Sequence, residues 1–102
     1  MKIVNLTPHD IVLNDGRVFP SEGVARVAEV YTPFDEDGIC QVTRGAILDL
    51  PSPIDGVVYA VSSLVLAESK RIGRTDLVVP ATGHPDCRRV NGFIESVPGF
   101  VR

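Results

Sequence analysis

Val57-Val-Tyr-Ala-Val-Ser-Ser-Leu-Val-Leu-Ala-Glu-Ser-Lys-Arg-Ile-Gly-Arg-Thr-Asp-Leu-Val-Val-Pro80 is the stretch that decides the fold. Val57 to Val61 is a compact apolar run of β-branched and aromatic side chains, which predicts a strand. Ser62 or Ser63 then offers a hydroxyl for an N-cap, and a helix is predicted to run to about Ile72, with Gly73 as its stop. Leu64-Val65-Leu66-Ala67 is apolar all round and Glu68-Ser69-Lys70-Arg71 is polar. The first turn is therefore expected to be buried and the last exposed. Asp76 to Pro80 reads as a second apolar strand. Two strands joined through a helix are expected to lie parallel with a right-handed crossover, so residues 57–80 should form the spine of the domain.

Upstream, the pattern is one of short strands broken by turn residues. Lys2 to Asn5 and Asp10 to Leu13 read as strands on either side of a Thr7-Pro8 corner, where proline removes a donor and restricts its predecessor to extended geometry. Asn14-Asp15-Gly16 supplies hairpin chemistry, with Arg17 to Phe19 returning. After Pro20-Ser21-Glu22-Gly23, the run Val24 to Tyr31 predicts one long strand. Thr32 to Gly38 is acidic and rich in turn formers, which predicts a solvated hairpin tip. It carries part of the acidic pattern of a calcium loop but lacks the closing glutamate. Ile39 to Leu50 resumes extended structure, with Cys40 as a small core residue, and Pro51-Ser52-Pro53 ends it. Downstream of the spine, Arg88 to Val90, Asn91-Gly92 and Phe93 to Val97 form a second hairpin signal.

The reading is thus α+β: a single domain over residues 1–102, mostly antiparallel strands with one strand–helix–strand unit at 57–80. A chain of 102 residues, 44% apolar and 23% charged, supports one modest core and excludes a disordered or coiled-coil polypeptide. The net charge of −3 is uneven: residues 1–56 carry four Lys/Arg against nine Asp/Glu, and residues 57–102 carry six against four. An acidic balance argues against general nucleic-acid binding, while the asymmetry could orient subunits or attract an anion to the C-terminal half. Two cysteines make no disulfide framework, and no leader or spanning apolar run is present, so the expected location is the cytoplasm and no membrane partner is expected.

Asn5-Leu6-Thr7-Pro8-His9-x-Ile11, Val58-Tyr59-Ala60-Val61-Ser62-Ser63-Leu64-Val65 and Asp76-Leu77-Val78-Val79-Pro80-Ala81-Thr82-Gly83 occur in this order along the chain. Together they resemble a family of small uncharacterised proteins of phages, prophages and bacteria. The resemblance implies a mobile-element association and a cytoplasmic setting. It transfers no catalytic residue, and the His84-Pro85-Asp86-Cys87 loop departs from the family pattern.

The residues suited to chemistry fall in two loops, Thr7-His9-Asp10 and Thr82-Gly83-His84 with Asp86 to Arg89. Zinc would need three or four of His, Cys or carboxylate, and His9, His84 and Cys87 would meet that count if the loops converge. Cys87 beside Arg88, Arg89 and His84 has the positive surroundings a thiol nucleophile needs, with Asp86 as an orienting group, but no oxyanion turn adjoins it. Ser62-Ser63 lacks the glycines of a nucleophile elbow, and helix capping accounts for both serines. Neither a phosphate-loop nor a dinucleotide glycine pattern occurs, so no cofactor is implied.

A loop after a parallel strand can nevertheless present N–H groups to an anion while arginine supplies bidentate donors. The expected ligand-binding residues are Thr7, His9, Thr82, Gly83, His84, Arg88 and Arg89, with Arg71 and Arg74 as further cationic candidates. No catalytic residue and no metal ligand is assigned. The function expected on this basis is a non-enzymatic accessory protein holding a small anionic, nucleotide-derived ligand or a protein partner. The rivals are a small zinc or thiol hydrolase and a structural or inhibitory interaction module. A homo-oligomer is also expected, formed through the Gly99-Phe100-Val101 tail and the strand Val24 to Tyr31, unless the tail packs on its own sheet.

Overall fold

The computed structural model describes residues 1–102. In chain order its elements are β1 (Lys2–Asn5), β2 (Ile11–Val12), β3 (Val18–Phe19), β4 (Arg26–Tyr31), β5 (Val42–Leu48), β6 (Val57–Ala60), α1 (Ser63–Arg71), β7 (Leu77–Pro80), β8 (Arg88–Val90), β9 (Phe93–Ser96) and β10 (Phe100–Val101). The domain is α+β and mostly β. Its central sheet has the order β1-β6-β7-β10, and three separate antiparallel hairpins, β2-β3, β4-β5 and β8-β9, surround it.

The 57–80 unit folds as its sequence indicates. β6 and β7 pair in parallel, Tyr59 opposite Leu77 and Ala60 opposite Val78, with α1 as the crossover. Ser62 is the N-cap: its backbone is extended and its hydroxyl accepts the Val65 N–H at 3.3 Å. Gly73 leaves the helix at φ +75°, a conformation open to glycine without steric cost.

β1 lies parallel to β6 on the opposite side from β7, with Lys2 to Asn5 paired to Val57 to Ala60. The sheet is buried on both faces, which is why its strands read as continuous apolar runs. Along β6 and β7 the side chains alternate between two cores. Tyr59, Val61, Leu77 and Val79 join Leu6, Ala25, Val27 and Val65 of α1 on one face, whereas Val58, Ala60 and Val78 join Ile11, Leu13 and Val97 on the other.

Several expectations are corrected. Burial in α1 follows one face rather than the first turn, since Val65 and Ser69 are buried while Leu64 and Ala67 are exposed. Ser69 is tolerated inside because its hydroxyl donates to the Leu66 carbonyl at 2.6 Å. The tail pairs with its own sheet: Phe100 sits opposite Pro80 and Val101 opposite Val79, and the Phe100 ring meets Phe19 edge-on at 5.5 Å. Cys40 lies in the loop before β5, half-buried and outside both cores. The strand from Val24 starts only at Arg26, pairs with β5 and carries a register shift between Val27 and Glu29. No helix is long and apolar enough to cross a membrane.

Candidate functional site

A cleft of about 390 Å³ opens at the carboxyl ends of the three parallel strands. Thr7 follows β1, Val61 and Ser62 follow β6, and Val79 and Pro80 finish β7. Open sheets with parallel strands bind ligands at this end, because loops diverge there and helix N-termini point toward it. Ser62 and Ser63 bring the start of α1 to the cleft wall. The first-turn amides of that helix have no intrahelical acceptor and carry the positive end of the helix dipole. The opposite wall is Ile94, Glu95 and Ser96 of β9 with Val97, and Thr82 adds a further hydroxyl.

The Thr7-Pro8-His9-Asp10 corner is held by one buried amide. Asn5 is fully buried; its amide nitrogen donates to the carbonyls of His9 and Phe19, each at 2.8 Å. Its amide oxygen accepts the Thr7 N–H at 2.9 Å and the Thr7 hydroxyl at 2.7 Å. The hydroxyl also lies 2.9 Å from the His9 carbonyl, so its single proton serves one acceptor at a time. Asp10 accepts the Ser21 N–H at 3.0 Å, and the Ser21 hydroxyl donates to the Thr7 carbonyl at 2.6 Å. Thr7 and Asp10 are therefore partly committed to the corner. Only the carbonyl of His9 takes part in it, and its exposed imidazole is left on the cleft wall without a partner in the chain.

Of the residues singled out in the sequence, Thr7, His9, Asp10 and Thr82 meet in this cleft, whereas Gly83, His84, Arg88 and Arg89 lie beside it in the following loop and hairpin. His84 Nδ1 accepts the Asp86 N–H at 3.0 Å, closing a local turn. Arg88 donates to the Asn14 carbonyl at 3.4 Å, and Arg89 donates to the Thr82 carbonyl at 3.0 Å, so Arg89 braces one side of the cleft from behind. Arg71 pairs with Glu68 and Arg74 with Asp76, and neither reaches the cleft. His9, His84 and Cys87 form no cluster, and no group of three or more His, Cys, Asp or Glu side chains is arranged to hold a metal. Cys87 instead packs at the edge of the second core.

Ser62, Ser63, Glu95 and Ser96 line the cleft as well, although no motif joined them to the Thr7-His9-Asp10 loop. The strand–helix junction at Ser62 was the available signal, since a helix start after a parallel strand is where such clefts form. Glu95 and Ser96 carry none, because a hairpin can fold back on either end of a sheet. The cleft thus combines five hydroxyl groups, a free imidazole, a helix N-terminus and two carboxylates over an apolar floor. That set can hydrogen-bond a small polar ligand, with an anionic group at the helix end and hydroxyl or amine donors on Asp10 and Glu95.

The fold and the cleft define a small α+β domain with a polar-rimmed cleft at the carboxyl ends of its parallel strands. No family model, curated protein or solved structure matches the chain.

Proposed function

We propose that this chain is a non-enzymatic binding protein that holds a small anionic, nucleotide-derived ligand in the cleft and so sequesters it. The observation that carries the reading is the convergence of a helix N-terminus, three parallel strand ends and the unpartnered His9 imidazole on one polar cleft. Its volume of about 390 Å³ falls in the range of small-molecule sites, roughly 300–1,000 Å³. The lining suits a ligand of low charge, since no lysine or arginine reaches in and two carboxylates do. A nucleotide monophosphate or a phosphorylated sugar meets this demand: the phosphoryl group lies at the start of α1 and His9, and sugar hydroxyls donate to Asp10 or Glu95. Polyphosphates would bring more negative charge than the lining can balance.

The proposal is one of binding rather than catalysis, and the hydroxyl contacts are in keeping with it. The Ser62 hydroxyl takes the Val65 N–H, the Thr7 hydroxyl is engaged by Asn5, and no cleft hydroxyl is hydrogen-bonded to the His9 imidazole as an activated nucleophile would be. The proposal includes a mobile-element association, as expected from the three sequence blocks taken together, in which removing a signalling nucleotide serves the element.

Thermal-shift screening with nucleoside monophosphates, phosphorylated sugars and their dephosphorylated counterparts tests the reading. A ligand at a hundredfold excess over its Kd stabilises the fold by about 2.7 kcal/mol, and only phosphorylated members should do so. If no phosphorylated compound shifts the melting transition at saturating concentration, the proposal fails.

A further inference from the structure

Two hairpins of this chain stand clear of the core and carry opposite charge. From Glu29 to Ala46, the distal part of β4-β5, every residue except Cys40 is exposed, and from Arg88 to Glu95, in β8-β9, every residue is exposed. The radius of gyration is 15.8 Å, with extents of 51 × 39 × 21 Å, against about 13 Å for a compact domain of this length. The β4-β5 arm presents Val30, Tyr31, Phe34 and Ile39 at 61–73% exposure, and β8-β9 presents Phe93 at 78%. Large apolar side chains gathered on projecting hairpins mark a contact surface.

Charge identifies the occupant. At the arm tip Asp35, Glu36 and Asp37 follow Phe34, and none of the three is paired with a cation. Asp35 is occupied with the N–H groups of Asp37 and Ile39, which shape the turn. On β8-β9, Arg88 and Arg89 donate only to main-chain carbonyls and meet no carboxylate. The arm tip therefore bears apolar side chains beside uncompensated negative charge, and β8-β9 bears apolar side chains beside Arg88 and Arg89, its one acidic residue, Glu95, lining the cleft; the complementary surface is on the same polypeptide. We infer that the partner is a second copy of this chain: the arm tip of each copy seats on the β8-β9 hairpin of the other. Two such contacts related by a twofold axis close a dimer and leave no free half. Aromatic anchors surrounded by arginine and carboxylate form the kind of contact in which charge sets register and apolar burial supplies affinity. The inference does not rest on what the cleft binds, although Ile94 and Glu95 of β9 also line that cleft.

Sedimentation velocity on the full chain at low ionic strength tests it, using two charge reversals, Glu36→Lys/Asp37→Lys on the arm and Arg88→Glu/Arg89→Glu on the hairpin. The wild-type chain should sediment as a dimer that weakens with added salt, and each reversal alone should weaken it at least about tenfold. An equimolar mixture of the two variants should associate again, because each reversed arm then meets a reversed hairpin. A wild-type chain that stays at single-chain mass at high micromolar concentration overturns the inference. So does a dimer indifferent to both reversals, or a mixture that does not associate. If circular dichroism shows the arginine variant unfolded, Phe93→Ser takes its place: it should weaken the dimer to a similar extent, and no effect overturns the inference equally.

Discussion

The amide oxygen of Asn5 accepts both the backbone N–H and the hydroxyl of Thr7, at 2.9 and 2.7 Å, while the amide nitrogen of Asn5 spans to the carbonyls of His9 and Phe19. One side chain thus ties the end of β1, the corner after it and the β2-β3 hairpin into a rigid unit. Asn5→Leu keeps the volume but leaves those buried partners unsatisfied, a loss of about 3 kcal/mol. Urea unfolding should show a lower midpoint with an unchanged slope.

His9 gives the opposite outcome. Its imidazole supports nothing in the chain, so His9→Ala should change unfolding free energy by less than about 0.5 kcal/mol. The same substitution should weaken the binding of any nucleotide that stabilises the wild type by about tenfold. Calorimetric titration of both proteins with that nucleotide compares them, and equal affinities would remove His9 from the site.

Acid should weaken the fold through Asp76. Arg74 grips its carboxylate in a two-point bond, Nε to Oδ1 at 2.8 Å and Nη2 to Oδ2 at 2.9 Å, with both side chains less than one-fifth exposed. Those hydrogen bonds hold the Asp76 carboxyl below the ordinary aspartate value. A lowered native pKa contributes stability in full above the unfolded value, near 3.9, and loses it as pH falls through the native one. Asp76→Asn should cost about 2 kcal/mol at neutral pH, with the gap to wild type closing below about pH 4 in urea unfolding.

Capping separates structure from binding at the start of α1. Ser62→Ala should cost about 1 kcal/mol and Ser62→Gly only a few tenths, as expected when the Val65 N–H loses its acceptor. Thermal unfolding of the two variants side by side checks the ranking.

Much of the fold was legible in particular residues. The 57–80 unit announced itself because both strands are buried on two faces and a serine marks the helix start. Asn91-Gly92 forecast its turn correctly, with φ of +51° and +81° at the two positions. The partnership of β1 with β6 left no local mark, since a parallel ladder between distant segments needs neither a turn nor a spacing rule. Arg88 and Arg89 suggested anion contacts by residue type, and the main-chain carbonyls to which each also donates had no mark in the sequence. Residue type conveys what a side chain can bond, and only packing decides which acceptor is near.

The pairing of Lys2 to Asn5 with Val57 to Ala60 has a consequence for synthesis. Ile3 and Val4 leave the ribosome well before their partners, which emerge only after the intervening hairpins have been made. Until then the nascent chain exposes an unpaired apolar strand, and the central sheet must close late across a long loop, a slow step by topology. β1, made before its partner, is thus one of the last strands to find its place.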